Sequence, residues 1–323
     1  METTLLSVYV ETHGCKLNQA DSQSIKNSFK KSGYLLSNNP KTSDVYILNT
    51  CTVTSEADRK ARQALRSIRR ANANSFIVVT GCYAERDPQI LGNLEEVDLI
   101  LGNQDKLELV NTVTNRLDKL ESDYFATQSH ETFPELKTRA MVKIQEGCDQ
   151  ICSYCIVPKV RGRERSIPSN IIVNQILDLE KEGFKEVVLT GTQLISYGFE
   201  YGNTNLQQLV ETILLKTNIP RIRVSSLQPQ IIDHQFLNLW KNERLCPHFH
   251  IPLQSGSNSV LQKMRRLYDT SEYSEKIGLI RSALPEASVT TDIIAGFPGE
   301  SDLDFEKTYE LCDRLRFADM HIF

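Results

Sequence analysis

The stretch Met141-Val-Lys-Ile-Gln-Glu-Gly-Cys148-Asp-Gln-Ile-Cys152-Ser-Tyr-Cys155 joins a strand-like run to three closely spaced cysteines. Their spacing is C-x3-C-x2-C, with no fourth cysteine near in sequence. A structural zinc site closes four ligands, commonly two C-x2-C pairs or one such pair with two histidines. Three thiolates on a four-iron cluster instead leave one iron open to a ligand that is not protein. The loop therefore predicts an iron–sulfur cluster, with a structural zinc ion or free thiols as alternatives.

This loop resembles the signature of the radical S-adenosylmethionine enzymes in its position after a strand, its spacing and its aromatic residue, Tyr154. The resemblance implies that Cys148, Cys152 and Cys155 are the catalytic cysteines and hold a 4Fe–4S cluster. It further implies that S-adenosylmethionine chelates the open iron, where an electron from the cluster cleaves it to a deoxyadenosyl radical.

Three more cysteines, Cys15, Cys51 and Cys82, lie far apart, yet each ends a β-branched or aromatic run. Helix-like polar stretches follow them at residues 18–32, 54–71 and 85–94. Strand then helix, three times, predicts a parallel sheet with crossover helices. Ligand sites in such sheets form beyond the carboxyl ends of the strands, so we expect the three cysteines to point at one crevice. The pattern predicts a second cluster with three protein ligands; unrelated buried free cysteines are the alternative.

Together the two sets resemble the methylthiotransferase family of radical S-adenosylmethionine enzymes. The resemblance implies two 4Fe–4S clusters and insertion of a methylthio group into an unactivated C–H bond. The motifs that carry it are Glu11-Thr-His-Gly-Cys15-Lys-Leu-Asn18, Asn49-Thr-Cys51-Thr-Val-Thr54, Thr80-Gly-Cys82-Tyr-Ala-Glu85, the Cys148 loop, Arg161-Gly-Arg-Glu-Arg-Ser166, His250-Ile-Pro-Leu-Gln-Ser-Gly256, Met264-Arg-Arg266 and Thr291-Asp-Ile-Ile-Ala-Gly-Phe-Pro-Gly-Glu300.

Within that family, the motif at Glu11–Asn18 most resembles the branch that acts on threonylcarbamoyladenosine beside the tRNA anticodon. The motif at Arg161–Ser166 resembles the isopentenyladenosine branch at least as much. The implied partners are tRNA, met at its anticodon loop, and an electron donor such as a flavodoxin or ferredoxin; the sulfur donor is not identified. Isopentenyladenosine, a ribosomal protein aspartate, and a non-catalytic iron–sulfur redox or scaffold protein remain alternatives.

The chain has 323 residues, which favours two domains. We expect a cluster-binding domain at 1–118 of the Rossmann/flavodoxin-like α/β class, with a fourth strand at 97–101 and a closing helix at 105–118. A polar linker at 119–137 precedes a radical S-adenosylmethionine core at 138–323. Six strand–helix units predict an α/β fold of the partial (β/α)6 barrel type. Their strands are expected at 140–146, 186–191, 221–226, 247–253, 288–295 and 318–323.

The chain stops inside the sixth of these strands. Family members that it resembles continue into a small RNA-binding β-barrel domain, so we expect the barrel to be truncated and that domain to be absent. The sequence contains no run of about eighteen apolar residues, so we expect no membrane span. The first residues do not resemble a signal peptide, and eight cysteines are then more readily ligands than disulfides, so a cytoplasmic protein is expected. Cys246 and Cys312, outside both sets, are expected to be packing residues.

The barrel must also hold S-adenosylmethionine beside its cluster. Gly191, with Thr190 and Thr192, ends the second strand, where a backbone without Cβ allows close approach of the amino-acid moiety. By resemblance, Tyr154 packs along the adenine and Gly296 flanks it. Strand ends supply further hydroxyl and amide groups from Ser225, Ser226, Gln254 and Ser255.

The net charge of −4 is unusual for a tRNA-binding protein, because phosphate contacts need Lys and Arg. Basic residues are nevertheless grouped. One group is a helix-like run with Arg59, Lys60, Arg62, Arg66, Arg69 and Arg70; a second is Lys159, Arg161, Arg163 and Arg165; a third is Lys263, Arg265 and Arg266. The second group follows the Cys148 loop, and we expect it to contact tRNA phosphates.

Overall fold

The structure is a computed structural model that describes residues 5–119, 138–202 and 204–323. It divides into two compact units. Among the described residues, unit 1 comprises 5–119 together with the short segment 159–161, and unit 2 comprises 138–158, 162–202 and 204–323. Most of the predicted linker, residues 120–137, lies outside the described residues. No helix in the described ranges is both long and apolar enough to cross a membrane.

Unit 1 is built on a five-stranded parallel sheet with the strand order β2-β1-β3-β4-β5. Its strands are β1 (Ser7–Thr12), β2 (Leu35–Leu36), β3 (Val45–Thr50), β4 (Phe76–Gly81) and β5 (Leu99–Leu101). This is the strand order of flavodoxin-like folds, in which ligands bind where the order reverses, between β1 and β3. The predicted class of fold is therefore confirmed. The sequence did not reveal β2, which is only two residues long and lies at the sheet edge.

Helices cover both faces of this sheet, as the continuous burial of β3 and β4 requires. They are α1 (Lys16–Lys31), α2 (Ser55–Ala71), α3 (Cys82–Arg86), α4 (Pro88–Gly92) and α5 (Leu109–Leu117). α1 and α5 pack on one face against Val45 and Ile47; α2 to α4 pack on the other against Tyr46 and Leu48. The helix predicted at 85–94 is two short helices, because Pro88 starts a new helix.

Unit 2 contains six parallel strands in two hydrogen-bonded groups, β6-β9-β10 and β11-β12-β13. They are β6 (Arg139–Lys143), β9 (Glu186–Thr190), β10 (Arg221–Val224), β11 (His248–His250), β12 (Ser288–Ile293) and β13 (Asp319–Ile322). Two single bridges, Ile222–Leu245 and Ser226–His250, join the groups. A small antiparallel pair, β7 (Gln145–Glu146) and β8 (Arg165–Ser166), flanks the first strand. Each predicted strand has its counterpart, in the arrangement of a partial (β/α)6 barrel.

The helices of unit 2 return the chain between these strands. They are α6 (Val157–Arg161), α7 (Ser169–Lys181), α8 (Leu206–Lys216), α9 (His234–Leu237), α10 (Asn258–Lys263), α11 (Thr270–Ala283) and α12 (Asp302–Leu315). The last three residues of α6 belong to unit 1. One continuous core unites strand residues such as Val187 and Leu189 with Ile172 and Ile176 of α7. Local sequence defines the ends of several helices. Asn205 and Gln208, for example, form a reciprocal capping box that begins α8.

Candidate iron–sulfur cluster sites

The three cysteines of unit 1 lie at the carboxyl ends of adjacent strands. Cys15 follows β1 and precedes α1, Cys51 directly follows β3, and Cys82 directly follows β4 and starts α3. Cys51 and Cys82 are 8% and 7% exposed, whereas Cys15 is exposed. Burial raises the pKa of the Cys51 thiol, and the nearby Cys15 and Cys82 raise it further. The structure therefore brings the three predicted thiols into one electrostatic neighbourhood at the predicted crevice.

A glycine allows two of these strand ends to approach closely. Gly81, just before Cys82, has φ of +97°, which side chains rarely tolerate. A Cβ there would stand 2.5 Å from the carbonyl oxygen of Thr50, the residue before Cys51. Any other residue at position 81 would push apart the strand ends that carry these two cysteines.

Asparagine side chains fix the loops around the same site. Asn18 Nδ2 donates to the carbonyl of His13 at 2.7 Å and to that of Thr50 at 2.9 Å, which ties the Cys15 loop to the end of β3. Asn103 Nδ2 lies 3.8 Å from Cys82 Sγ and donates to the Val160 carbonyl at 2.6 Å. Asn18 belongs to the sequence motif at Glu11–Asn18. No local pattern marks out Asn103, since its partners are remote in sequence.

A buried group of charges adjoins these asparagines, all within unit 1. Asp21 Oδ2 lies 2.8 Å from Lys106 Nζ and 3.2 Å from Arg161 Nη1, and Arg161 Nη2 also donates to Asn18 Oδ1. The Asp21 and Arg161 side chains are 2% and 1% exposed. Burial lowers the pKa of Lys106, while Asp21, and more weakly Cys82, oppose that shift. The attraction between Lys106 and Cys82 shows that a cation lies beside the cysteines, where it favours their thiolate form.

This geometry corrects one expectation. Arg161 was predicted to contact tRNA phosphates, together with its basic neighbours in sequence. Its side chain is instead enclosed and paired with Asp21, so in this structure it cannot reach RNA. Arg163 is the opposite case, since its side chain is 90% exposed. Alternating basic residues in Arg161–Ser166 gave no indication of this difference.

The second set, Cys148, Cys152 and Cys155, lies on the loop after β7 in unit 2. Burial raises the pKa of the Cys148 thiol to about 11, and the neighbouring Cys155 and Cys152 contribute. Burial likewise raises the pKa of Cys155, and Cys152 adds to it. The three thiols are therefore also mutual neighbours. Metal binding would have to displace their protons, as it does at thiolate sites generally.

The loop is held by residues from the end of β9. Thr192 Oγ1 donates to the Gly147 carbonyl, and Gln145 Oε1 accepts from the backbone N–H groups of Thr192 at 2.9 Å and Gln193 at 2.8 Å. Cys148 Sγ donates to Gln193 Oε1. Gly147 has φ of +77°, and a Cβ there would stand 1.9 Å from the Arg163 carbonyl oxygen. The segment predicted to meet the cofactor therefore also positions the first cysteine of the loop.

Arg266 is a half-buried cationic neighbour of the loop, a role that its sequence motif did not indicate. Its Nη1 lies 3.4 Å from Cys152 Sγ, its Nε lies 3.2 Å from Tyr268 Oη, and its guanidinium stands 4.9 Å from the centre of the Tyr268 ring. A charged donor on a cluster thiolate tunes the reduction potential. Met264-Arg-Arg266 was recognised as a motif, but its arginines were grouped only as basic residues.

The residues predicted to contact S-adenosylmethionine fall into two groups. Tyr154 and the turn after Gly296 are brought together, since the Tyr154 ring lies 6.4 Å from that of Phe297, edge to face. Gly296 has φ of +73°, and its N–H donates to Glu300 Oε2 at 2.5 Å. The others lie at strand ends: Thr190 is the last residue of β9 and Gly191 follows it, Ser225 and Ser226 follow β10, and Gln254, with φ of +70°, comes after β11.

Ser255 is the most enclosed residue of that set. Its exposed fraction is 0%, and its Oγ lies 3.3 Å from Thr308 Oγ1 of α12 while accepting from the Ser257 N–H at 3.2 Å. The hydroxyl is therefore enclosed under a helix, which makes it the weakest of the proposed cofactor contacts. The neighbouring Gln254 bridges to Ile293.

Both donor sets suit an iron–sulfur cluster. All eight cysteines are free, and each set supplies three thiols to one neighbourhood. Across the part of the chain that the structure describes, no three His, Cys, Asp or Glu side chains converge on a single ion position. A cluster does not need such convergence, because each thiolate binds a different iron. Cys246, buried, and Cys312, half-buried, lie outside both sets.

Comparison with known proteins matches each unit separately. Residues 7–102 match the uncharacterized protein family UPF0004, and residues 142–312 match the Radical SAM superfamily. Among solved structures, the radical S-adenosylmethionine methyltransferase TsrM from Kitasatospora setae aligns with a TM-score of 0.70 over 99% of this chain and 73% of its own, at 13% identity. The cobalamin-dependent S-adenosylmethionine radical enzyme OxsB aligns with a TM-score of 0.60 over 96% and 52%, at 12% identity. The fold is thus that of a radical S-adenosylmethionine enzyme.

Relatives identified by sequence define the family more narrowly than the solved structures do. The chain is 41% identical to threonylcarbamoyladenosine tRNA methylthiotransferase MtaB of Aquifex aeolicus, over 98% of this chain and 80% of that protein. It is 36% identical to the MtaB of Thermotoga maritima, over 98% and 74%. It is 37% identical to the tRNA-2-methylthio-N(6)-dimethylallyladenosine synthase of Endomicrobium trichonymphae, over 98% and 76%. The chain belongs to the methylthiotransferase family of radical S-adenosylmethionine enzymes, which use S-adenosylmethionine and 4Fe–4S clusters.

Proposed function

We propose that this protein adds a methylthio group to C2 of the N6-threonylcarbamoyladenosine beside the tRNA anticodon. The observation that carries the proposal is the 41% identity, over nearly the whole chain, to a relative whose name states that substrate. Two cysteine sets in separate units support the reaction type, because radical generation and sulfur supply need different clusters.

In unit 2, we assign Cys148, Cys152 and Cys155 to the cluster at which S-adenosylmethionine is cleaved. When bound, the cluster and cofactor would supply the radical that removes hydrogen from the substrate carbon. The chain positions this loop with Thr192 and Gln193, and places the Arg266 guanidinium against one thiolate. Tyr154, with Phe297 at its edge, and the turn at Gly296 offer an aromatic wall for an adenine.

In unit 1, we assign Cys15, Cys51 and Cys82 to the cluster that carries the transferred sulfur. Its surroundings include the cations Lys106 and Arg161, both of which pair with Asp21. Lys106 is also attracted to Cys82, so this cation would favour an anionic sulfur ligand. The donor of the sulfur itself is not identified by any residue of the chain.

The proposed division is a cluster-binding domain at 1–118, a linker at 119–137 and a radical domain at 138–323. The two family matches, at 7–102 and 142–312, support it. We further propose that the enzyme works in the cytoplasm on tRNA, where unpaired bases of the anticodon loop can be splayed out and read by their edges. A low-potential flavodoxin or ferredoxin is the proposed electron donor.

A second candidate substrate is N6-isopentenyladenosine, also called dimethylallyladenosine. The 37% identity to a relative named for that substrate favours it, as does the motif at Arg161–Ser166. The two nucleosides differ in chemistry, since threonylcarbamoyl carries a carboxylate and dimethylallyl is apolar. The cofactor and both clusters would serve either substrate.

Nucleoside mass spectrometry decides between them. A strain without the gene is complemented with the wild-type protein or with the triple variant C15A/C51A/C82A. A double variant, C246A/C312A, controls for loss of cysteines outside both sets. The proposal expects methylthiolated threonylcarbamoyladenosine with wild type and control only. Restoration of methylthiolated isopentenyladenosine instead would transfer the assignment to the second candidate.

A further inference from the structure

Helix α2 of unit 1 carries a row of arginines along one face. Arg59, Arg62, Arg66 and Arg70 are three or four residues apart, which places them side by side on a helix. The opposite face is fixed, because Ala61, Leu65 and Ile68 are buried against the sheet. The row therefore faces outward in a fixed orientation. Together with Gln63, Arg69 and Glu96, these arginines line a groove of about 600 Å³.

The groove keeps a surplus of positive charge. Arg59 pairs with Glu56 at 2.6 Å, and Arg66 lies 3.7 Å from Glu96. Arg69 bonds Asp98 at 2.6 Å and three backbone carbonyls, so it supports the wall of the groove. Five arginines thus meet three carboxylates, in a chain whose net charge is −4.

The remaining two arginines are placed by neutral groups. Arg62 Nη1 donates to Tyr83 Oη at 2.7 Å, and Arg70 Nε donates to the Arg66 carbonyl at 3.1 Å. Neither contact removes charge from the guanidinium, so both arginines retain their full positive charge on the groove. A guanidinium that is already oriented loses less entropy when it binds a phosphate.

The arginine row of α2 begins near the edge of the sheet at which the three cysteines of unit 1 lie. α2 starts at Ser55, shortly after Cys51, so its first turn lies at the end of the sheet that carries the three cysteines. At 1.5 Å per residue, Arg59 to Arg70 spans about 16 Å along the helix axis, enough for several successive phosphates. A polyanionic strand bound along α2 would therefore lead to the Cys15, Cys51 and Cys82 site.

We propose that the arginine face of α2, formed by Arg59, Arg62, Arg66 and Arg70, binds the sugar–phosphate backbone of the RNA substrate. This inference rests on the proposed function for the identity of that RNA. An acidic protein fits less well, because protein interfaces contain an apolar centre, whereas the residues lining this groove are all charged or amide side chains. A regularly spaced row of guanidinium groups suits a repeating polyanion.

The test compares the double variant R66Q/R70Q with the wild-type chain carrying its clusters. Both side chains are exposed, so the change should not disturb the core. The control is K181Q/K216Q, which removes the same charge from exposed positions of α7 and α8. Fluorescence anisotropy measures binding of a labelled tRNA anticodon stem-loop at increasing KCl. Iron content and thermal midpoint verify that each variant is folded.

We expect R66Q/R70Q to weaken binding at low salt by about tenfold or more. The slope of log K against log salt should become shallower by about 1.4–1.8, at 0.7–0.9 for each lost phosphate contact. The control should bind as wild type does. If Arg62 contributes, R62Q/R66Q/R70Q should flatten the slope by a further 0.7–0.9 or so.

An unchanged affinity and slope in R66Q/R70Q would overturn the inference, as would a wild-type chain that does not bind the stem-loop. Slower reduction by a flavodoxin, with RNA binding intact, would overturn it in favour of an acidic protein partner. The proposed function is judged separately, by the nucleoside profile. If R66Q/R70Q lost salt-dependent RNA binding and the wild-type protein formed no methylthiolated nucleoside, the RNA-binding role of α2 would be supported. The proposed substrate would then be wrong.

Discussion

Each of the two sites is formed by three cysteines, but the cysteines are brought together in different ways. In unit 2, three cysteines lie within eight residues, and one loop determines their spacing. In unit 1, the cysteines span 15 to 82, and only the parallel sheet brings them together. The first set therefore depends on local conformation and the second on tertiary packing. Damage to packing far from the cysteines should harm the unit 1 set more.

The largest expected effect comes from removing the loop set. C148A/C152A/C155A should lose about half of the protein's iron and reduce deoxyadenosine release to background, since the cofactor would lose its cluster. Iron and sulfide assays, with chromatography of the reaction products, measure both. Cofactor cleavage that persisted in this variant would remove the catalytic role assigned to the loop.

Removing the sheet-assembled set should separate the two activities. C15A/C51A/C82A should also lose about half of the iron, yet it should retain deoxyadenosine release and form no methylthiolated product. The physical reason is that radical generation depends on the other loop. The same assays, run beside C246A/C312A, test the difference. Loss of cofactor cleavage at wild-type thermal stability would show that the two sets do not act independently.

The buried ion pairs of Asp21 should contribute to the stability of unit 1. D21N removes the carboxylate that pairs with both Lys106 and Arg161, whereas R161A leaves Asp21 paired with Lys106. Breaking a buried ion pair from one side costs about 3–5 kcal/mol. We therefore expect D21N to lower the free energy of unfolding of unit 1 by that amount, and R161A by less. Urea unfolding, with cluster content measured in parallel, checks the order; equal effects would contradict it.

In unit 2, the corresponding charged contact should act on electron transfer. R266A removes the guanidinium 3.4 Å from Cys152 Sγ, and R266K retains the charge without the planar donor group. A hydrogen bond to a charged group contributes about 1.5–3 kcal/mol, so reductive cleavage should slow by roughly ten- to a hundredfold in R266A. Potentiometric titration followed by electron paramagnetic resonance should show a more negative cluster potential. An unchanged potential would assign Arg266 a packing role only.

The smallest expected effect concerns Ser255. S255A removes a buried hydroxyl that contacts Thr308 and accepts from the Ser257 N–H, and each lost hydrogen bond costs about 1 kcal/mol of stability. The affinity for S-adenosylmethionine, measured by equilibrium dialysis, should not change, because the hydroxyl is enclosed. Weaker cofactor binding at unchanged stability would support a cofactor contact by Ser255.

Local sequence was sufficient to predict the strands of the barrel, but it was insufficient to predict several side-chain contacts between residues far apart in the chain. Each predicted barrel strand has a counterpart, because buried strands with β-branched residues and bounding turns give a strong local signal. The burial of Arg161 could not be foreseen, since its partner Asp21 lies 140 residues earlier. The same holds for Arg266 and Cys152, which are 114 residues apart. β2 was missed because two residues are too few for any periodicity.

The membership of residues 159–161 in unit 1 has a consequence for the order of synthesis. The last helix of the amino-terminal sheet domain ends at Leu117, yet the cation that completes its buried charge group is Arg161. At the usual 5–20 residues per second, translation takes about 2–9 s to cover that interval. During this delay the nascent unit has the ion pair between Asp21 and Lys106 but not the one between Asp21 and Arg161. The amino-terminal unit should therefore reach its final stability on the ribosome only after the Cys148 loop has been made, so cluster insertion into both sets would begin in one narrow period.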